Sequence, residues 1–168
     1  MRAASAGALL GWTVLWLVGC GAGPADPVEP YRRWIEYGNR GDVEGQVRLL
    51  TDDATLSAWS FCLSPCRGRA AIRHQLEERT ILHDQSTPVD VQVAGDRITA
   101  RRELRSDGTR RAGVERIILL DEFQLRRGKI AAAAMPMDLR DPPTATYLEF
   151  LRAQSGWRDP VAVDPSGR

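Results

Sequence analysis

The sequence predicts an α+β domain in which helices pack on one face of an antiparallel sheet. Two observations carry this. Apolar residues recur at helical spacing from Tyr31 to Leu50 and again from Ile72 to Leu82, and change to strict alternation after Pro88. Short turn signals, Ala94-Gly95-Asp96, Asp107-Gly108 and Arg127-Gly128, then divide the alternating region into strands. Helices first and hairpins afterwards is the order of an α+β chain.

The elements follow in turn. Pro30 occupies the tolerated first turn of a helix whose Tyr31, Trp34, Ile35 and Gly38 fall at helical spacing, with Gly38 near the stop. Asn39-Arg40-Gly41-Asp42 ends that helix and caps a second. There Asp42 is the N-cap, Glu44 suits the positive end, and Val43, Val47 and Leu50 form one stripe. Asp52-Asp53 closes it, and Ala54 to Phe61 reads as extended. Gly68 to Leu82 predicts a third helix, with Ile72 and Leu76 on one face and Arg73 with Glu77 as a surface pair. Val89, Val91 and Val93 share one face of a strand, and Ile98, Ala100 and Leu104 one face of the next. Asp107-Gly108 signals a hairpin. The long strand after it, from Arg111 to Leu125, points Glu115, Ile117, Leu119, Asp121, Phe123 and Leu125 one way. A last strand runs from Lys129 to Asp138, and Asp141-Pro142-Pro143-Thr144 opens a C-terminal helix bearing Tyr147, Leu148 and Leu151.

A chain of 168 residues, 43% hydrophobic and 27% charged, has room for one ordinary domain. Its 23 basic and 22 acidic residues leave a formal charge of +1, which does not favour nucleic-acid binding. Lys129 is the only lysine. The excess of arginine either supplies planar forks for anions or reflects codon bias.

The N-terminus differs from the rest. Arg2 is followed by an apolar stretch from Ala3 to Val18, and no charge appears again until Asp26. Residues 1–19 therefore read as a secretory signal, short for a membrane span. Leu17-Val18-Gly19-Cys20 resembles the lipobox of bacterial lipoproteins, which implies that Cys20 is the lipidated mature N-terminus. Residues 20–29 then form a tether, 30–155 the domain and 156–168 a disordered tail. The expected location is outside the cytoplasm, held to the cell membrane by the lipid. Cys62 and Cys66 fit that compartment as a small disulfide-closed loop. They lack the second ligand pair of a zinc site and the spacing of a thiol oxidoreductase, so neither a metal nor a cofactor is expected.

The stretches YRRWIEYGNRGDVEGQVRLLTDDATLSAW, CRGRAAIRHQL, RRGKIAAAAMPMD and DPPTATYLEF, together covering most of Tyr31 to Leu151, resemble the nuclear transport factor 2-like superfamily and its SnoaL-like group. The resemblance implies a cone: a strongly curved sheet wraps the N-terminal helices and leaves a pocket at the open end. Its members include ketosteroid isomerases, polyketide cyclases, epoxide hydrolases, dehydratases and domains with no chemistry of their own. Alignment on Asp52 to Thr55 puts the isomerases' catalytic carboxylate at Ala58 and their tyrosine donor at Trp34, so both groups are absent. Their oxyanion-hole acid falls at Leu120 or Asp121.

The pocket is accordingly expected to be lined by Trp34, Trp59, Phe61, Leu119, Asp121, Phe123 and Met135 and to bind a small apolar or amphipathic molecule. A rival reading is an isomerase, cyclase or hydrolase using Asp121 with Arg102 or Glu115. Six residues of strand separate Glu115 from Asp121 by about 20 Å, too far to share a proton. Asp121 is either functional or paired with Arg102 or another arginine of the adjacent strand, and Arg102 either enters the pocket as an anion or carboxylate anchor or is turned outward by a bulge. His74 and His83 read as exposed or capping. A third reading is an interaction module, with the sheet face as a surface for a homodimer.

Overall fold

The computed structural model describes residues 26–58 and 62–154. The expected signal segment, Cys20, Trp59, Phe61 and the expected tail lie outside them. Two helices come first, α1 (Glu29–Arg40) and α2 (Val43–Arg48). Strands β1 (Leu50–Ala58) and β2 (Cys62–Arg67) precede α3 (Arg69–Arg79), which ends in a 3-10 turn, Thr80–Leu82. Then come β3 (Gln85–Ala94), β4 (Arg97–Arg105), α4 (Asp107–Arg111), β5 (Ile117–Arg126), β6 (Lys129–Met135) and α5 (Pro142–Arg152).

The start of the chain folds as its caps dictate. Asp26 and Glu29, at the end of the expected tether, already belong to the helix start: Asp26 Oδ1 accepts from the Val28 N–H, and Glu29 pairs with Arg33. α1 stops at Gly41, whose φ of 68° is the left-handed conformation a side chain resists, and whose N–H donates to the carbonyls of Gly38 and Tyr37. Asp42 then caps α2 by accepting from the Gly45 N–H at 2.7 Å. Gly38 serves a contact instead. A Cβ there would lie 2.9 Å from Gln46 Nε2, so its absence lets Gln46 reach the Trp34 carbonyl. Arg73 pairs with Glu44 on α2, not with Glu77, so it ties two helices together.

The six strands form one curved open sheet in the order β2-β1-β6-β5-β4-β3. Every neighbouring pair is antiparallel except β1 with β6, which run parallel. Cys62 and Cys66 form a disulfide within β2, with Cα atoms 5.6 Å apart. The register sets Ile98 opposite Phe123, Ala100 opposite Asp121, Arg102 opposite Leu119 and Leu104 opposite Ile117. Opposed residues share a face. This face meets α1, and the main core forms where Tyr31, Trp34 and Ile35 pack on Ile98 and Phe123. A second cluster gathers Leu104, Ile117, Leu119 and Met137 under Tyr147 and Leu148 of α5.

Two expectations between β4 and β5 are corrected. Asp107-Gly108 makes no two-residue hairpin, because Ser106 and Thr109 form a capping box. Ser106 Oγ accepts from the Thr109 N–H at 3.2 Å, and Thr109 Oγ1 accepts from the Ser106 N–H at 3.0 Å, which starts α4. Consequently β5 begins at Ile117, not Arg111. Glu115 is off the strand, 84% exposed and paired with Arg105.

α5 is fixed by its first turn. Asp141 is the N-cap, accepting from the Thr144 N–H at 3.1 Å, and Arg116 of the β5 approach reaches both its carboxylate oxygens at 2.9 Å. Thr144 Oγ1 in turn accepts from the Ile118 N–H, docking the helix on β5. Burial alone would raise the Asp141 carboxyl, but the Thr144 hydrogen bonds and Arg116 outweigh it and hold it below the usual carboxylate range. A folded-state value below the unfolded one stabilises above the unfolded pKa and is lost as pH falls. Stability is therefore expected to decline as pH drops below about 4, the unfolded aspartate value. Asp141→Ala should lower stability at pH 7 by about 1 to 2 kcal/mol and flatten that acid slope, read by chemical unfolding across pH.

Candidate functional site

A cavity of about 390 Å³ opens between α1, the end of α3 and the inner face of the sheet. Its size is that of a small-ligand pocket. Its apolar lining is made by Trp34 and Ile35 of α1, Leu76 of α3, and Leu104, Leu119 and Met135 of the sheet, with Ala58 at the end of β1. Its polar lining comes from Asn39, Gln46, Arg79, Asp84, Ser86 and Arg102. His83 stands at the rim in a left-handed conformation, φ 49°, with Nδ1 2.8 Å from Asp107 Oδ2.

The deepest polar group is a buried network. Arg102 Nε donates to Asp121 Oδ2 at 2.6 Å and Nη2 to Oδ1 at 3.0 Å, a bidentate pair. Their side chains are 7% and 0% exposed. Tyr31 OH donates to the same Oδ2 at 2.9 Å, Arg102 Nη2 also lies 3.2 Å from Met135 Sδ, and Nη1 donates to Ser86 Oγ at 2.7 Å. Burial is the largest influence on Arg102 and works against its charge. Asp121 overrides it and holds the guanidinium above its ordinary range. Burial, reinforced by the Asp121 charge, pushes the Tyr31 hydroxyl well up. Both therefore keep their protons, and the Asp121 carboxylate has donors on each oxygen.

The positions named from the sequence separate into groups. Trp34, Leu119, Met135 and Arg102 line the cavity. Asp121 lies behind that lining, paired with Arg102; the bulge beside Arg102 falls in β3, between Pro88 and Asp90, and does not turn Arg102 away from the cavity. Phe123 is not a wall residue. It is 1% exposed and sits edge-on to Tyr31 and Trp34, with ring centres 5.1 and 6.0 Å away. Glu115 is displaced by α4 and faces solvent, so the pairing of Glu115 with Asp121 is withdrawn. His74 is exposed beside Glu78 on α3.

Tyr31, Asp84 and Ser86 are among the residues that escape the sequence reading. Tyr31 looked like ordinary core, although a buried tyrosine hydroxyl needs a partner and Asp121 is its partner 90 residues away. Asp84 and Ser86 precede the alternation that the sequence shows after Pro88, whereas β3 begins at Gln85. Alternation through Asp84, Ser86 and Pro88 was the available signal.

A curved sheet enclosing N-terminal helices, with a cavity at its open end, defines the nuclear transport factor 2-like class of domains. Within it the chain belongs to the SnoaL-like domain family, whose pattern matches residues 31–133. No curated protein matches the sequence significantly. Among solved structures it is similar to IdmH of Streptomyces antibioticus, a candidate polyketide cyclase, with 18% identity, a TM-score of 0.58, and coverage of 74% of this chain and 99% of that one. The epoxide hydrolase/cyclase-like enzyme SalBIII of salinomycin formation is 20% identical, with a TM-score of 0.57 over 68% of this chain and 92% of its own. A nuclear transport factor 2-like protein of unknown function from Cytophaga hutchinsonii is 12% identical, with a TM-score of 0.55 over 68% and 92%. At these identities the likeness is one of fold.

Proposed function

We propose that the domain binds a small apolar or amphipathic molecule in the cavity and does not convert it. The observation that carries this reading is an apolar lining beside an Arg102–Asp121–Tyr31 network whose members are bonded to one another. Trp34, Leu104, Leu119 and Met135 offer surface for a ligand, while Asp121, the acid nearest the position of the isomerases' oxyanion-hole acid, is held by Arg102 and Tyr31. A general base must reach the substrate's proton. Asp121 faces its own partners, and Ala58 stands where the resemblance places the base. Native mass spectrometry of the protein with steroids, aromatic polyketides and fatty acids tests the binding half. A retained ligand at one per chain is expected, and no retention across the three classes would contradict it.

The same reading places the domain outside the cytoplasm. Support comes from Leu17-Val18-Gly19-Cys20 behind an apolar run, and from a Cys62–Cys66 disulfide, a bond that persists in oxidising compartments. Cys20→Ala is expected to abolish incorporation of labelled fatty acid and to move the protein from the membrane fraction to the soluble one. Undiminished labelling would remove the anchor from the account.

A further inference from the structure

The charged groups that line the cavity are already matched. Arg102 is closed by Asp121, Arg79 by Asp84 and Arg40 by Glu36, and His83 is hydrogen-bonded to Asp107. Neutral polar groups of the lining are engaged as well. The Asn39 amide takes the N–H and C=O of Ser86, Ser86 Oγ accepts from Arg102, and Thr80 Oγ1 donates to the Glu77 carbonyl. Gln46 differs. It is 7% exposed and lines the cavity, and only its nitrogen is used, donating to the Trp34 carbonyl at 3.1 Å. A carbonyl can only accept, so this bond fixes which end of the amide is the nitrogen. Gly38 closes that nitrogen from a second side, since a Cβ there would lie 2.9 Å from it. The oxygen, Gln46 Oε1, has no partner among the described residues, yet unlike Asp84 Oδ1 it is not sealed from open space. In a side chain this buried, the open space is the cavity that Gln46 lines.

From this geometry we infer that Gln46 Oε1 is the acceptor that orients the ligand, and that the ligand is an otherwise apolar molecule bearing a hydroxyl group that donates to it. The inference rests on the binding reading above and names the chemical class that the site takes. A ketone or an ether in the cavity would set an oxygen against Oε1 and leave that acceptor without a donor once water is displaced, which is costly. A carboxylate would do the same and would find no unpaired cation in the lining, and an ammonium would find no unpaired carboxylate. A hydroxyl supplies the donor and leaves the charge balance intact, while the carbon skeleton lies against Trp34, Leu119 and Met135.

The test is a matched pair of apolar rings, cyclododecanol and cyclododecanone, titrated calorimetrically into the full chain. The alcohol is expected to bind about fivefold more tightly than the ketone, the range of one neutral hydrogen bond. Gln46→Met keeps the length of the side chain and removes the acceptor, and the Trp34 carbonyl it leaves lies inside α1, where the helix supplies its own donor. The preference should then fall to near one, with ketone binding kept as the measure of an intact cavity. A preference that persists in Gln46→Met would overturn the assignment to Gln46. Equal binding of both rings to the wild type would overturn the inference and leave the binding reading standing, whereas binding of neither would count against that reading itself. If Gln46→Met does not fold, the side-chain carbonyl carbon of Gln46 is followed by NMR in the glutamine-labelled wild type. Its signal should move with the alcohol and much less with the ketone, and equal movement with both overturns the assignment.

Discussion

Replacing Arg102 with leucine is expected to lower stability by about 3 to 5 kcal/mol, because it strands a buried carboxylate. Asp121 is fully enclosed, and of its donors only the Tyr31 hydroxyl would remain. The ion pair itself adds much less to stability than this loss suggests, since burying both charges costs desolvation that their attraction mainly offsets. The double variant Arg102→Met with Asp121→Leu should therefore recover most of the loss. Urea unfolding of the single and double variants measures both quantities. A loss below about 1 kcal/mol for Arg102→Leu would mean that water reaches Asp121 and that the polar lining is more open than the structure shows.

Trp34→Ala is the second large effect. Trp34 is 3% exposed, edge-on to Phe123, and at the same time part of the cavity wall. Truncation should cost about 3 to 5 kcal/mol of stability, as expected for a buried aromatic. It should also weaken retention of an apolar ligand, because the indole face is removed from the pocket. Trp34→Phe separates the two roles. It keeps the aromatic contact with Phe123, so stability should fall by much less while ligand affinity still drops. Thermal unfolding and ligand titration on both variants check this. Affinity unchanged in Trp34→Phe would make Trp34 a core residue with no part in binding.

Local chemistry was legible in the sequence, and non-local chemistry much less so. Gly41 and Asp42 announced the end of α1 and the cap of α2, and Asp141 the start of α5, because caps act within one turn. Alternation placed Leu119, Asp121 and Phe123 on one face of β5. It could not tell that Leu119 meets a cavity and Phe123 meets Tyr31, because that depends on which part of α1 lies above each. The parallel pairing of β1 with β6 joins segments 80 residues apart at Leu50 and Ile130, beyond the reach of any periodicity. Asp107-Gly108 misled for a different reason. The dipeptide favours a tight turn, but Ser106 and Thr109 on either side of it supply a helix cap that wins locally. That four-residue signal was present in the sequence, and with it Glu115 would have been left off the strand.

The fate of a bound steroid enone shows whether the cavity holds its ligand without changing it. The full chain is incubated with a β,γ-unsaturated ketosteroid for many hours, the protein is denatured, and the released steroid is separated by chromatography. The account predicts recovery of the unrearranged isomer at the level of a protein-free control. Isomerisation by the wild type that disappears in Asp121→Asn would contradict it, because Asp121 would then be reaching a substrate and not only Arg102 and Tyr31.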